Sequence, residues 1–533
     1  MPRKGDSLIN QLISNLIKKY IDELPQQHDI AFINDPKLGD YSSNIAFLLA
    51  KSQNRSSVDI ANELTQKLSS HDEFSSVSVA GKGFINFQLS DKLLFSELEN
   101  SIQENFARVN VGKSKKILVE FISANPTGPL NVVQARAGAF GNALVNLLKF
   151  VNYNAVAEYY INNTGTQVDL LYESLLARIN ELNGKPAKIP ENGYPGTYLI
   201  NIAKEILDKD LPATEWQDYL LQKIISSQKE SISRFSIHFD NFAEESTIAS
   251  RRQSVLEKIK NYTFPQEGAC WFRATDFNDS ADRVLITANG RPTYFLSDLA
   301  YHWDKFDRGF ETLINIWGPD HHGYIARMKG GIAALGFDPT RLLIIIAQQV
   351  SLLRNREKII MSKRAGEYIT LDDIISEIGP DALTFFLLMR KASQHLEFDL
   401  ALAKKTSQEN PVYYVQYAHA RISSIIKHAQ EKGIKELSQP NLTLLSSSEE
   451  RNLIKIIIHF PDVVVASANN LEPHHLIYYL LELGAVFHKF YETVRVVTDD
   501  ENMAAARLFL CRAALRIFKD TLAIIGVSAP EKM

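Results

Sequence analysis

The sequence predicts an α/β protein: a doubly wound parallel sheet as core, an α+β N-terminal domain and an all-α C-terminal helical bundle. Three observations lead there. A buried-type strand at 117–122 runs into a Pro/Gly turn and then a helix from about Val132, the strand–turn–helix unit that sets a nucleotide at a helix N-terminus. Apolar runs at 155–161, 284–288, 312–317 and 342–347 alternate with helical patterns, as in a parallel sheet. Beyond residue 379, apolar side chains recur every three or four positions over 381–391, 411–432, 448–468, 473–497 and 502–525, which predicts a bundle.

Taken in order, the chain opens with an amphipathic helical pattern in which Leu8, Leu12, Leu16 and Ile17 share a face. Strands are expected at 76–80 and 84–89, the second alternating as FINFQL. The expected domains are 1–110, 111–378 and 379–533. A mostly helical insertion at about 165–283, broken by a Gly/Pro-rich loop at 183–198, separates the two halves of the sheet.

Composition bounds the function. Of 533 residues, 45% are hydrophobic and 23% charged, and the net charge is −4, ordinary for a globular protein with a sizeable core. The charge argues against bulk non-specific nucleic-acid binding but leaves room for a local basic surface. Two cysteines, Cys270 and Cys511, argue against a disulfide framework or a Cys-rich zinc site. No secretory signal is visible, and no apolar run reaches the ~18 residues of a membrane span.

Individual residues sharpen this. Lys363 sits in a Ser/Gly-flanked loop after the last expected strand, in the run KIIMSKRAG from Lys358 to Gly366. Its ammonium can approach a polyphosphate, although most loop lysines are merely solvated. Asn131 and Gln134 stand i, i+3 at the start of the helix after the first strand and point at one bound group; their amides can donate to phosphate oxygens. Ordinary helix-start residues are the bland alternative. Glu120 ends the first strand, at the sheet edge where ligands bind. Tyr294 and Asp298 are i, i+4 on one helix, opposite the apolar face of Phe295, Leu299, Trp303 and Phe306. Asp320, His321 and His322 are adjacent, but neighbouring histidines point apart, so no protein-held metal is expected.

The runs EFISANPTGPL, EYYINNTGTQ, PTYFLSDLAYHWDKFDRGF, WGPDHHGY, MSKRAGEYITLDDI, DALTFFLLMRKASQHLEFDLALA, NPVYYVQYAHAR and the terminal GVSAPEKM resemble, in collinear order, bacterial arginyl-tRNA synthetases. LGDYSSNIAF and VAGKGFINF extend the resemblance into the N-terminal region. It implies a class I enzyme with a Rossmann-type core that joins arginine to AMP from ATP, with Mg2+ accompanying the nucleotide. The arginyl group then passes to tRNA(Arg), and activation depends on bound tRNA. The implied N-terminal module contacts tRNA, the implied C-terminal bundle reads the anticodon, and the implied setting is a cytoplasmic monomer.

By the same resemblance, ATP falls to Pro126, Thr127, Gly128, Pro129, Asn131, Gln134, Met361, Ser362, Lys363 and Arg364. Catalysis falls to Lys363, Asn131 and Gln134. Arginine falls to Glu120, Ser123, Asn125, Tyr294, Asp298 and His321, and tRNA to Tyr413, Gln416, Tyr417 and Arg421. Acidic and basic residues balance over 381–533, so the anticodon role rests on the resemblance alone. The chain departs from the family where it counts. The resemblance includes two ATP signatures. In the first, at the opening of the helix after the first strand (130–134), Asn131 and Gln134 replace two histidines and Val133 replaces a glycine; in the second, KIIMSKRAG (358–366), Ile360 replaces the first lysine. A non-catalytic tRNA-binding paralogue is the alternative these departures suggest.

Overall fold

A computed structural model describes residues 8–33, 37–359, 369–434 and 437–533. The segment bearing Met361, Ser362, Lys363 and Arg364 lies outside the described residues. The chain forms two compact units. One comprises residues 1–113, 146–153 and 405–533, and the other residues 114–145 and 154–404.

The second unit is built on five parallel strands: β1 (Lys116–Glu120), β2 (Asn154–Ile161), β3 (Asn241–Glu244), β4 (Thr312–Trp317) and β5 (Leu342–Ile346). Their spatial order is β5-β4-β1-β2-β3. The chain winds outward from β1 in one direction, then returns to the other side. The switch between β1 and β4 opens a crevice at the strands' carboxyl ends, where such sheets bind ligands.

Helix α1 (Val132–Phe150) follows β1. It lies close on the sheet because its glycines allow it: a Cβ on Gly141 would stand 2.2 Å from Phe121 Cγ. Helix α2 (Tyr294–Asp307) buries Phe295, Leu299 and Phe306 against the sheet, as its apolar spacing predicts, while Trp303 is half-buried.

Three sequence expectations need correction. The run at 284–288 is not in the main sheet; Arg283–Ile286 pairs antiparallel with Ala269–Phe272 in a separate three-stranded sheet. The fifth core strand is β3, inside the stretch taken as helical. Four residues are too short for periodicity to reveal, and their place is set by pairing with β2. The boundary at 379 also shifts. Residues 379–404 pack with the second unit because β7 (Leu396–Asp399) pairs in parallel with β6 (Val350–Arg354).

The first unit carries a four-stranded antiparallel sheet that includes the hairpin Phe74–Ala80 and Phe84–Leu89. It also carries the helices Pro411–Glu431, Ser448–Ile458, Phe460–Asn470, His474–Thr493 and Glu501–Ile525. The helix expected over 448–468 breaks at His459, just before Pro461, whose ring fits only the first turn of a helix. On the N-terminal helix Leu8–Lys18, the buried stripe is Ile9, Ile13, Leu16 and Ile17.

Candidate active site

A cavity of about 750 Å³ occupies the switch point. Its wall takes Glu120 from the end of β1, Tyr160 from β2, and Asn315 and Trp317 from β4. Asn131, Val133 and Gln134 come from the opening of α1, and Tyr294, Asp298 and Tyr301 from α2. Ser123, Asn125 and His321 also face it.

The backbone leaves β1 through two residues in the left-handed region, Ile122 (φ 66°) and Ser123 (φ 39°). A β-branched residue there is strained, and such strain gathers at functional sites. The turn points Ser123 Oγ back at Glu120, donating to Oε1 at 2.8 Å and accepting from Tyr160 N at 3.2 Å. The other carboxylate oxygen of Glu120 is held by Lys305 Nζ at 2.5 Å, and Lys305 is fully buried. Lys305 also reaches Asn315 Oδ1 at 3.3 Å. Glu120 is thus already neutralised before any ligand arrives, which its sequence position did not suggest.

Asn315 continues the network, its Nδ2 standing 2.8 Å from His302 Nε2. Burial pushes the His302 pKa down to about 3, with the Lys305 charge adding to it, so the ring is neutral. Its Nδ1–H donates to the Asp298 carbonyl at 2.7 Å, and Nε2 accepts from Asn315. A fully satisfied buried network of this kind holds its members in one geometry.

Asp298 also lines the cavity, and its carboxylate accepts from the Tyr324 hydroxyl. Burial pushes its pKa up to about 7. The Tyr324 hydroxyl, donating at 2.7 Å, pulls it down, while Glu120 and Glu245 push it up. Glu245 is itself paired with Arg252 at 2.6 Å. Tyr294 is 53% exposed at the mouth. His321 is exposed, 3.6 Å from Asp320 and beside the Trp317 ring.

In the same cavity lining, α1 begins with a reciprocal cap. Val133 N donates to Asn131 Oδ1 at 2.9 Å, and Asn131 N donates to Gln134 Oε1 at 3.1 Å. The pair expected to face a ligand therefore also closes the helix, in the manner of a capping box. With both oxygens engaged, what the amides offer a ligand is their NH2 groups, suited to an anion.

Pro126, Thr127, Gly128 and Pro129 are not part of the cavity wall. Their turn is held from behind by the helical insertion. Tyr198 OH donates to the Thr127 carbonyl at 2.5 Å, and Gln228 Nε2 donates to those of Gly128 (2.8 Å) and Asn125 (3.2 Å). Asn125 Nδ2 donates to Gln167 Oε1 at 2.6 Å.

Of the residues assigned to tRNA, Tyr413 and Tyr417 stack with centroids 6.1 Å apart, half-buried on the helix Pro411–Glu431. Arg421 lies over the Tyr491 ring, 4.5 Å from its centroid, beside a second cavity of about 480 Å³. Gln416 instead turns inward and donates to the Ser528 carbonyl at 3.0 Å, fastening the C-terminal tail.

Sequence reasoning missed Lys305, Tyr324, His302, Asn315, Glu245 and Arg252. One signal was present: Tyr294, Asp298, Tyr301 and Lys305 follow at steps of four, three and four, which aligns them on one helical face.

Comparisons with known proteins identify the family. Residues 7–89 match the family described as the arginyl tRNA synthetase N terminal domain, and residues 415–533 match the DALR anticodon binding domain. An arginine–tRNA ligase of Syntrophotalea carbinolica is 41% identical over 93% of each chain. One of Staphylococcus carnosus is 39% identical over 99% of this chain and 98% of its own. The structure of Thermus thermophilus arginyl-tRNA synthetase superposes with a TM-score of 0.80 at 21% identity, over 99% of this chain and 100% of that one, and so shares the fold. With relatives this similar along nearly its whole length, the chain belongs to the arginyl-tRNA synthetase family.

Proposed function

We propose that this protein is an arginine–tRNA ligase that consumes ATP, with Mg2+ entering on the nucleotide, and activates arginine only when tRNA(Arg) is bound. The observation that carries this is one cavity with two chemically opposite walls. Asp298 on α2, with Glu120 and Glu245 near it, forms one wall, and the amides of Asn131 and Gln134 at the opening of α1 form the other, which suits a cation joined to a polyphosphate.

In the first step a carboxylate oxygen of arginine attacks the α-phosphorus of ATP and diphosphate leaves. In the second, a ribose hydroxyl at the tRNA 3′ end attacks the arginyl carbonyl and AMP leaves. Asp298, oriented by Tyr324, takes the guanidinium, because a carboxylate matches that planar donor fork. Glu120 with Ser123, together with Asn125, orients the amino-acid end, and Tyr294 and His321 close the mouth. The NH2 groups of Asn131 and Gln134 donate to phosphate oxygens. Lys363 supplies the positive charge that follows negative charge as it shifts toward diphosphate; preorganised donors of this kind are a large part of catalysis. The half-buried aromatic pair Tyr413 and Tyr417, with Arg421, offers stacking and charge to unpaired bases.

Charging is the test. Purified protein with labelled arginine, ATP, Mg2+ and tRNA(Arg) gives arginyl-tRNA, and a non-catalytic tRNA-binding relative gives none. We also infer a monomer acting in the cytoplasm, which sedimentation and cell fractionation check. Among the described residues, no helix is long and apolar enough to cross a membrane.

A further inference from the structure

Helix α1 carries the first signature on its opening turn and, two residues further on, Arg136 in an otherwise small and apolar stretch. The Arg136 side chain is 2% exposed. Its Nη1 donates to the carbonyls of Gln348 (2.9 Å) and Gln349 (3.3 Å), and its Nη2 to that of Lys391 (3.1 Å). A buried charge is costly unless its donors are met. Burial draws this guanidinium's pKa down to about 10, which leaves it charged at neutral pH.

The acceptors it chooses are informative. Gln348 and Gln349 join β5 to β6, and β6 runs through a tight turn into Glu357–Lys358, the strand that leads to the second signature. On the far side of that signature, Thr370 forms an antiparallel bridge with Asn131. Leu371 N also donates to the Leu130 carbonyl at 2.8 Å. Both approaches to the second signature are therefore fastened to the opening of α1, one by Arg136 and the other by Leu130 and Asn131. Arg136 is not part of the cavity wall, so its effect on a ligand is indirect.

We propose that Arg136 is a positioning residue for the nucleotide step: by tying α1 to the segment entering β6, it holds Asn131 and Gln134, at the opening of α1, in place for ATP. The proposal rests on the ATP-dependent function above. It separates ATP handling from arginine handling, because none of the Arg136 acceptors lies on the α2 wall where the guanidinium is placed.

The test uses the full chain with tRNA(Arg) present. Diphosphate exchange is measured for wild type, Arg136→Met and Arg136→Lys, with KM for ATP, KM for arginine and kcat taken separately. Thermal unfolding and tRNA affinity are measured alongside. Misplacement of about 1 Å at a reacting centre can cost on the order of 100-fold. Arg136→Met is expected to raise KM for ATP or lower kcat by about tenfold or more, with KM for arginine and tRNA affinity within about twofold. Arg136→Lys, which keeps the charge but not the fork, is expected to fall between. If Arg136→Met does not fold, Arg136→Lys decides alone, with at least about a threefold ATP-selective effect supporting the proposal. A folded variant with wild-type kinetics, or one losing ATP and arginine equally, overturns it. A wild type inactive with all substrates present overturns the functional reading and this inference with it, an outcome distinct from the other two.

Discussion

Lys305 Nζ stands 2.5 Å from Glu120 Oε2, the lysine fully buried and the carboxylate nearly so. The pair is set by two elements far apart in sequence, the end of β1 and the last turns of α2. It makes the pocket less acidic than its carboxylates imply, and it concentrates the ligand's electrostatic choice on Asp298.

Breaking that pair strands a buried charge. Lys305→Met is expected to destabilise the protein by about 3–5 kcal/mol, the usual result of removing one partner of a buried ion pair. Glu120→Gln combined with Lys305→Met is expected to recover roughly half of the loss or more. Urea unfolding of the two variants measures both.

Asp298 predicts opposite pH effects on binding and stability. Its pKa is about 7 when folded, against the usual 3.8. The native protein therefore holds a proton that the unfolded chain releases, and this site's contribution to stability falls as pH rises from about 4 to 7. Arginine, always charged, needs the carboxylate, so its affinity rises as pH climbs from 6 to 8. Asp298→Asn is expected to stabilise the unliganded protein at pH 8 by roughly 1–2 kcal/mol, allowing for partial solvent access. The same variant is expected to lose arginine binding. Denaturation and calorimetric titration at pH 6 and 8 check the pair of effects.

Two of the buried histidines, His28 and His302, act in the other direction. Burial lowers His28 to about 4 and His302 to about 3. Each contributes stability that is complete above pH 6.5 and is lost as pH falls toward those values. By pH 4.5 the loss is about 2–3 kcal/mol per histidine, partly offset by Asp298. A His28→Gln, His302→Gln double variant is expected to show a flatter stability profile between pH 6.5 and 4.5; an unchanged slope contradicts the assignment.

Much of this was legible in the sequence, and the failures have physical causes. The β1–turn–α1 unit was readable because Pro126, Gly128 and Pro129 punctuate an apolar run, and α2 because its apolar and polar faces separate at helical spacing. Strand β3 was not, since four residues carry no measurable period and its identity comes from pairing with β2. Glu120 was assigned to arginine from its place at the strand end and the resemblance, and nothing in its own neighbourhood names Lys305, which is 185 positions away. Gln416 was assigned to tRNA beside Tyr417, yet the tail carbonyl of Ser528 claims it; neighbours on a helix do not share a face.

The helix cap separates structural from ligand roles at the first signature. Gln134→Glu keeps an oxygen for Asn131 N at a position where glutamate caps well, so stability is expected to change by less than about 0.5 kcal/mol. The added negative charge faces the phosphates, and KM for ATP is expected to rise about tenfold. Equal KM values for ATP would show that Gln134 caps the helix and does nothing more.

With Asn131 and Gln134 in place of two histidines, the ATP site is expected still to activate arginine. ATP–diphosphate exchange with arginine, run with and without tRNA(Arg) on the same folded preparation, tests it most directly. Exchange is expected with tRNA, none without it, and slowed exchange with near-normal tRNA binding in Lys363→Ala. No exchange in either condition from folded protein would contradict the account.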